Sequence, residues 1–130
     1  GFGGEGFTLH FDASNQVIGI VRAAATITLT GPVVSAGSWC TALLSYDGTT
    51  PRLIVRVGGV TTPVAGTATS GNLTFSDNGF AAGRTGQDGG SAFGNNGGKT
   101  IAQILIASSN YDATTGADYV NNANTAAGLS

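Results

Sequence analysis

Chemistry needs ionisable or nucleophilic side chains held near one another, and this chain has few of them. Glu5 is the only glutamate, and no candidate strand carries two carboxylates on one face, so the carboxylate pair that glycoside hydrolysis requires is not found. His10 and Asp12 stand two apart, a spacing that lets an aspartate orient a histidine on one strand face. No serine occupies a nucleophile elbow, however, and Asp12 opens a DASNQ turn, so the two read as a surface pair. The opening GFGGEG fits G-x-G-x-x-G, but a strand follows it where a dinucleotide site needs a helix. Asn95 to Thr100 (NNGGKT) ends like a phosphate-binding loop, but Phe93 stands where its first glycine belongs and a strand follows. Cys40 is the single cysteine, which makes neither a disulfide nor a metal site, and it reads as a small buried apolar residue. These residues describe a protein that is not an enzyme.

Composition narrows the class further. The chain has 130 residues, 9% of them charged, with a net charge of −2 and 22 glycines. That length makes one domain, residues 1–130, large enough to bury a core without staples. Neither a basic nucleic-acid surface nor a polybasic membrane patch can be built from five cations, so nucleic acid is not an expected partner. No apolar run approaches the roughly 18 residues of a membrane span, and no signal peptide pattern opens the sequence. Low charge does little to oppose self-association.

The elements that must position any site are strands. Ser38 to Val60 organises the rest: an apolar strand ends in Tyr46, an Asp47-Gly48 turn follows, and a second apolar strand closes at Gly58-Gly59. Alternation puts Cys40, Ala42, Leu44 and Tyr46 on one face and Trp39, Thr41, Leu43 and Ser45 on the other. Neither face is strongly polar, which predicts a hairpin in the middle of a sandwich, covered on both sides. Trp39, at the head of this strand, reads as core ahead of a stacking platform.

Upstream, Phe7–Phe11 and Val17–Arg22 read as strands joined by the 12–16 turn. Ala24–Thr30 alternates a wet threonine face with Ile27 and Leu29, and Gly31-Pro32 ends it. Downstream, Val60–Ala65 carries Pro63 and so belongs at an edge. Leu73–Phe75 and Phe80–Arg84 are short strands, Thr85–Gly98 is a long glycine-rich loop, and Ile101–Ala107 is a continuous apolar strand. Thr115-Gly116-Ala117-Asp118 matches a helix start signal, with Tyr119 and Val120 packing the helix down and Gly128 past its end.

Trp39, Tyr46-Asp47-Gly48-Thr49-Thr50, Leu53-Ile54-Val55 and the Gly-Gly turn together resemble the middle of the laminin G-like, or concanavalin A-like lectin, domain. Phe80–Gly83, Lys99–Ala107 with Tyr111, and Asp112–Ala126 resemble its later strands and terminal helix, and Gly6–Arg22 its preceding strand pair. The resemblance implies an all-β fold, an antiparallel two-sheet β-sandwich of the lectin-like jelly-roll type with one short C-terminal helix. Family members carry further strands before the segment matching Gly6, which predicts open sheet edges, at Thr26–Leu29 and Val60–Thr62, that pair between chains or with earlier strands. The same likeness implies sugar recognition by an aromatic face with polar groups around it, for which Phe93, Gln87, Asp88, Asn95 and Asn96 in the long loop supply the combination. It also admits Ca²⁺ at the rim through hard oxygen donors, here Asp77, Asn78 and Asp88; no other cofactor is expected. The expected function is a non-enzymatic structural and adhesive domain on a virion or other extracellular surface, of the capsid-decoration, head-fibre or tail-fibre kind. Its expected partners are copies of itself, other surface or capsid proteins, and glycan. The alternative is a carbohydrate-binding module of a secreted enzyme.

Overall fold

A computed structural model describes residues 6–74 and 111–129. Six strands and a helix follow one another: β1 (Phe7–Phe11), β2 (Gln16–Arg22), β3 (Thr26–Val33), β4 (Cys40–Tyr46), β5 (Pro51–Val57), β6 (Val60–Ala65) and α1 (Ala113–Ala126). The strands form two antiparallel three-stranded sheets, in the orders β1-β2-β3 and β4-β5-β6. The fold is therefore mostly β with one helix near the C-terminal end, in a sandwich-like arrangement.

Local chemistry explains the turns. Val57 pairs with Val60, leaving Gly58-Gly59 as a two-residue loop with φ of 56° and 79°. Positive φ at both positions is the twist-matched hairpin geometry, and glycine adopts it without strain. At the β1–β2 turn the Asp12 carboxylate accepts from the Ser14 and Gln16 amides, both at 2.8 Å, so Asp12 is the turn residue its sequence context suggests. Burial lowers the pKa of the nearby His10, with the Asp12 charge opposing that shift.

The β4–β5 turn is held by Asp47. Its carboxylate accepts from the Thr50 amide at 2.7 Å, from Arg52 Nη1 at 2.7 Å and from the Thr49 amide at 2.9 Å. The Thr50 bond, then Arg52 and Thr49, hold the carboxyl at about 2, below its ordinary 3.8. A depressed folded-state pKa gives stability that is complete above the unfolded value and is lost as pH falls through the folded one. Asp47→Asn is expected to cost about 1 kcal/mol at neutral pH, after discounting for the exposure of the carboxylate. In urea denaturation that loss should shrink as the pH falls toward 2; an undiminished loss there would refute the ionic account.

Between the sheets, Val17, Val21 and Leu29 of one meet Tyr46, Leu53 and Val55 of the other, with Val34 closing the cluster. Cys40, Ala42 and Leu44 pack against it from β4, on the face that alternation assigns them. Burial raises the Cys40 thiol pKa. The sheets come close where side chains are missing. A Cβ on Gly19 would lie 2.8 Å from Leu44 Cδ1, and one on Gly31 would lie 3.2 Å from both Leu53 and Val55. The segment after β6 straps one end: the Gly66 amide donates to Pro51 O at 2.9 Å, Ala24 N to Ser70 O at 3.0 Å and Tyr46 OH to Gly71 O at 3.0 Å.

The second face of the β4-β5-β6 sheet is covered by α1, so β5 lies in the middle layer and Leu53, Ile54 and Val55 are all fully buried. This refines the sequence expectation: the hairpin is covered on both sides, but by a sheet and a helix, and of its two strands β5 is the middle one of the sheet. Three further expectations are corrected. Strand β3 runs through Gly31-Pro32 to Val33, because a register shift between Gln16 and Ile18 accommodates the extra residue. Leu73 and Thr74 carry no strand; Leu73 packs on the core and the Thr74 amide donates to Arg22 O at 2.9 Å. The helix starts three residues earlier than its matched signal, capped by Asp112, which accepts from the Thr114 and Thr115 amides while the Thr115 hydroxyl takes the Asp112 amide. The bonds from Thr115 hold the Asp112 carboxyl below its usual range. Strand β6, with Pro63 exposed, pairs only with β5 among the described residues, as an edge strand should.

Candidate functional site

The most chemically loaded region among the described residues lies between α1 and the outer face of the β4-β5-β6 sheet. Thr41, Arg56 and Thr61 form one row across the three strands, since Thr41 pairs with Arg56 and Arg56 with Thr61. The helix brings Asn121 and Asn124, one turn apart, onto that row. Thr41 Oγ1 donates to Asn124 Oδ1 at 2.9 Å, while Arg56 Nη1 donates to Asn121 Oδ1 and to Thr61 Oγ1, both at 3.1 Å. Thr61 Oγ1 donates to the same Asn121 oxygen.

The helix can reach the sheet because of Gly116, whose missing side chain leaves room for Ile54 and Leu43. Val120, fully buried, supplies the apolar contact between Gly116 and the polar row. Near the N-terminal end of α1, Ser45 Oγ donates to Tyr111 O at 3.0 Å and the Tyr111 and Tyr119 rings stand 5.1 Å apart.

The row has more donors than acceptors. Arg56 Nε and Asn124 Nδ2 are shielded from solvent and have no hydrogen-bond partner among the described residues, although Asn124 is only 2% exposed. Arg56 also makes no ion pair with a described residue, whereas Arg52, two residues earlier, is paired with Asp47 at 2.7 Å. Among the described residues, this half-buried guanidinium is held only by neutral oxygens.

Trp39 immediately precedes β4. The residue is 48% exposed, so it is not the core tryptophan that its place in the sequence suggests.

The residues singled out from sequence for ligand binding, Gln87, Asp88, Phe93, Asn95 and Asn96, and those for calcium, Asp77, Asn78 and Asp88, lie outside the described residues. So do the expected strands Phe80–Arg84 and Ile101–Ala107 and the loop Thr85–Gly98. Among the described residues no group of three His, Cys, Asp or Glu side chains is placed to hold a metal ion, and no helix is long and apolar enough to cross a membrane. The polar row was missed because its members come from four elements. One signal does point to it: asparagine is a poor helix former, and three of them fall within α1. Comparison with protein-family models, with curated proteins and with solved structures finds no match.

Proposed function

We propose that this chain is a non-enzymatic structural and adhesive surface domain on a laminin G-like, concanavalin A-like jelly-roll plan. In this reading it is displayed on a virion or other extracellular surface, as a capsid decoration or a head- or tail-fibre module, where it assembles with other copies of itself or with neighbouring surface proteins and touches glycan. The observation that carries the reading is the state of β1. Phe7 and Leu9 pair with Val21 and Gly19 and so share their core-facing side, yet they remain 38% and 41% exposed. Strand β1 is terminal in its sheet among the described strands, and Val60 on the terminal β6 is 62% exposed. Apolar side chains left open along sheet edges gain most from a second protein surface.

Sedimentation velocity at micromolar concentration tests the reading. The chain is expected to sediment as a multimer, and Phe7→Ser with Leu9→Ser to shift it to monomer without loss of a cooperative melt. A wild-type monomer under these conditions overturns the assembly reading. The exposure of Trp39 favours a second reading, a carbohydrate-binding module of a secreted enzyme, in which the chain is monomeric and binds sugar.

A further inference from the structure

We propose that Asn72 is an acceptor for N-linked glycan, displayed from the segment that straps the sheets after β6. The proposal goes beyond the assembly reading above and rests on it only for the extracellular setting. Asn72-Leu73-Thr74 is the one place in the chain where an asparagine is followed two residues on by threonine or serine, and the residue between is not proline. A three-residue match arises readily by chance; placement distinguishes this one. Asn72 and Thr74 are both exposed, whereas Leu73 between them packs on the core. The amide and the hydroxyl that a transferase must read together are thus left to solvent, and the apolar residue is kept by the protein.

The span is tied at both ends. Gly71 O accepts from Tyr46 OH at 3.0 Å, and the Thr74 amide donates to Arg22 O at 2.9 Å. It belongs to no strand or helix, and a Cβ on the neighbouring Gly71, with φ of 87°, would meet nothing within 4 Å. A bulky glycan can therefore leave Asn72 without displacing core atoms. A residue kept for turn chemistry looks different: Asp12, Asp47 and Asp112 each accept from nearby backbone amides. Asn72 follows a positive-φ glycine yet makes no side-chain hydrogen bond among the described residues.

The reaction joins Asn72 Nδ2 to C1 of the first N-acetylglucosamine of a lipid-linked oligosaccharide. The C1–O bond to the lipid pyrophosphate breaks, the pyrophosphate leaves with its electron pair, and Nδ2 gives up one proton. Thr74 supplies the hydroxyl by which the acceptor is recognised.

Expression of the full chain behind a cleavable signal peptide in a eukaryotic cell tests the proposal, with intact mass read on exported and retained chain alike. Most of the wild-type chain is expected to carry one N-linked glycan, Thr74→Ser to keep it, and Asn72→Gln and Thr74→Ala to lose it. All three substitutions are at exposed positions, so the variants should melt as wild type does. An endoglycosidase should trim the glycan from the native chain, leaving a single N-acetylglucosamine that peptide mass analysis locates on Asn72. The proposal is overturned by an unmodified wild-type chain, by a glycan that survives Asn72→Gln or Thr74→Ala, by trimming only after denaturation, or by a glycosylated chain without a cooperative melt. Chain made in a bacterium that lacks the transferase carries no such glycan, and its sedimentation decides assembly by itself. Failure here is thus distinct from failure of the assembly reading.

Discussion

Replacing Leu53 by alanine is expected to lower the unfolding free energy by about 3–5 kcal/mol, a large part of the roughly 5–15 kcal/mol that holds a domain of this size. Leu53 is fully buried in the central strand β5, with both sheets around it. Its side chain approaches the backbone of the opposite sheet at two glycines, 3.6 Å from a Cβ built on Gly19 and 3.2 Å from one on Gly31. Glycines leave no side chain that can swing into the space, so the cavity should stay open and the loss should fall near the top of its class. Val33→Ala is the control, because Val33 is 56% exposed and its truncation should change stability by less than about 0.5 kcal/mol. Urea denaturation of the two variants is the measurement. A loss under about 1 kcal/mol at Leu53 would mean that the sheets do not pack face to face through β5.

What could be read from the sequence was what local chemistry decides. The Gly58-Gly59 loop, the Asp47 turn and the helix stop at Gly128, with φ of 72°, each depend on a few adjacent residues. The faces of β4 were legible for the same reason: Cys40, Ala42, Leu44 and Tyr46 alternate without interruption. The helix start was misread because two overlapping signals compete, and Asp112, which accepts two amides, won over Thr115. Gly31-Pro32 reads as a stop, but Gly31 is needed for the approach of Leu53 and Val55, a partner invisible at sequence distance. Trp39 was misplaced because a tryptophan before an apolar strand looks like core whether or not anything covers it. The pairings of the polar row were beyond reach, since Arg56 and Asn121 are 65 residues apart, and the asparagines of α1 mark only the helix side of it.

The same logic of missing side chains gives the other large expected effect. Gly116→Leu should detach α1 from the sheet and cost about 3 kcal/mol or more, because a Cβ at this position would lie 2.3 Å from Ile54 Cδ1 and 3.3 Å from Leu43 Cδ2. Ile54 is fully buried in the middle layer and cannot swing away without opening the core behind it. If the helix lifts, the burial of Val120 is lost together with the bonds from Thr41 and Arg56 to Asn124 and Asn121. Gly116→Ala separates the steric effect from helix propensity. Alanine is the better helix former by about 1 kcal/mol, so a net loss with alanine comes from the crowding against Ile54 and Leu43. Amide exchange makes the two effects visible by place: in Gly116→Leu, protection should fall throughout Ala113–Ala126 while β2 and β3 keep theirs. Protection lost equally in all elements would mean that α1 and the sheets melt as one unit, and unchanged protection in α1 would mean that the helix does not rest on Ile54 at all.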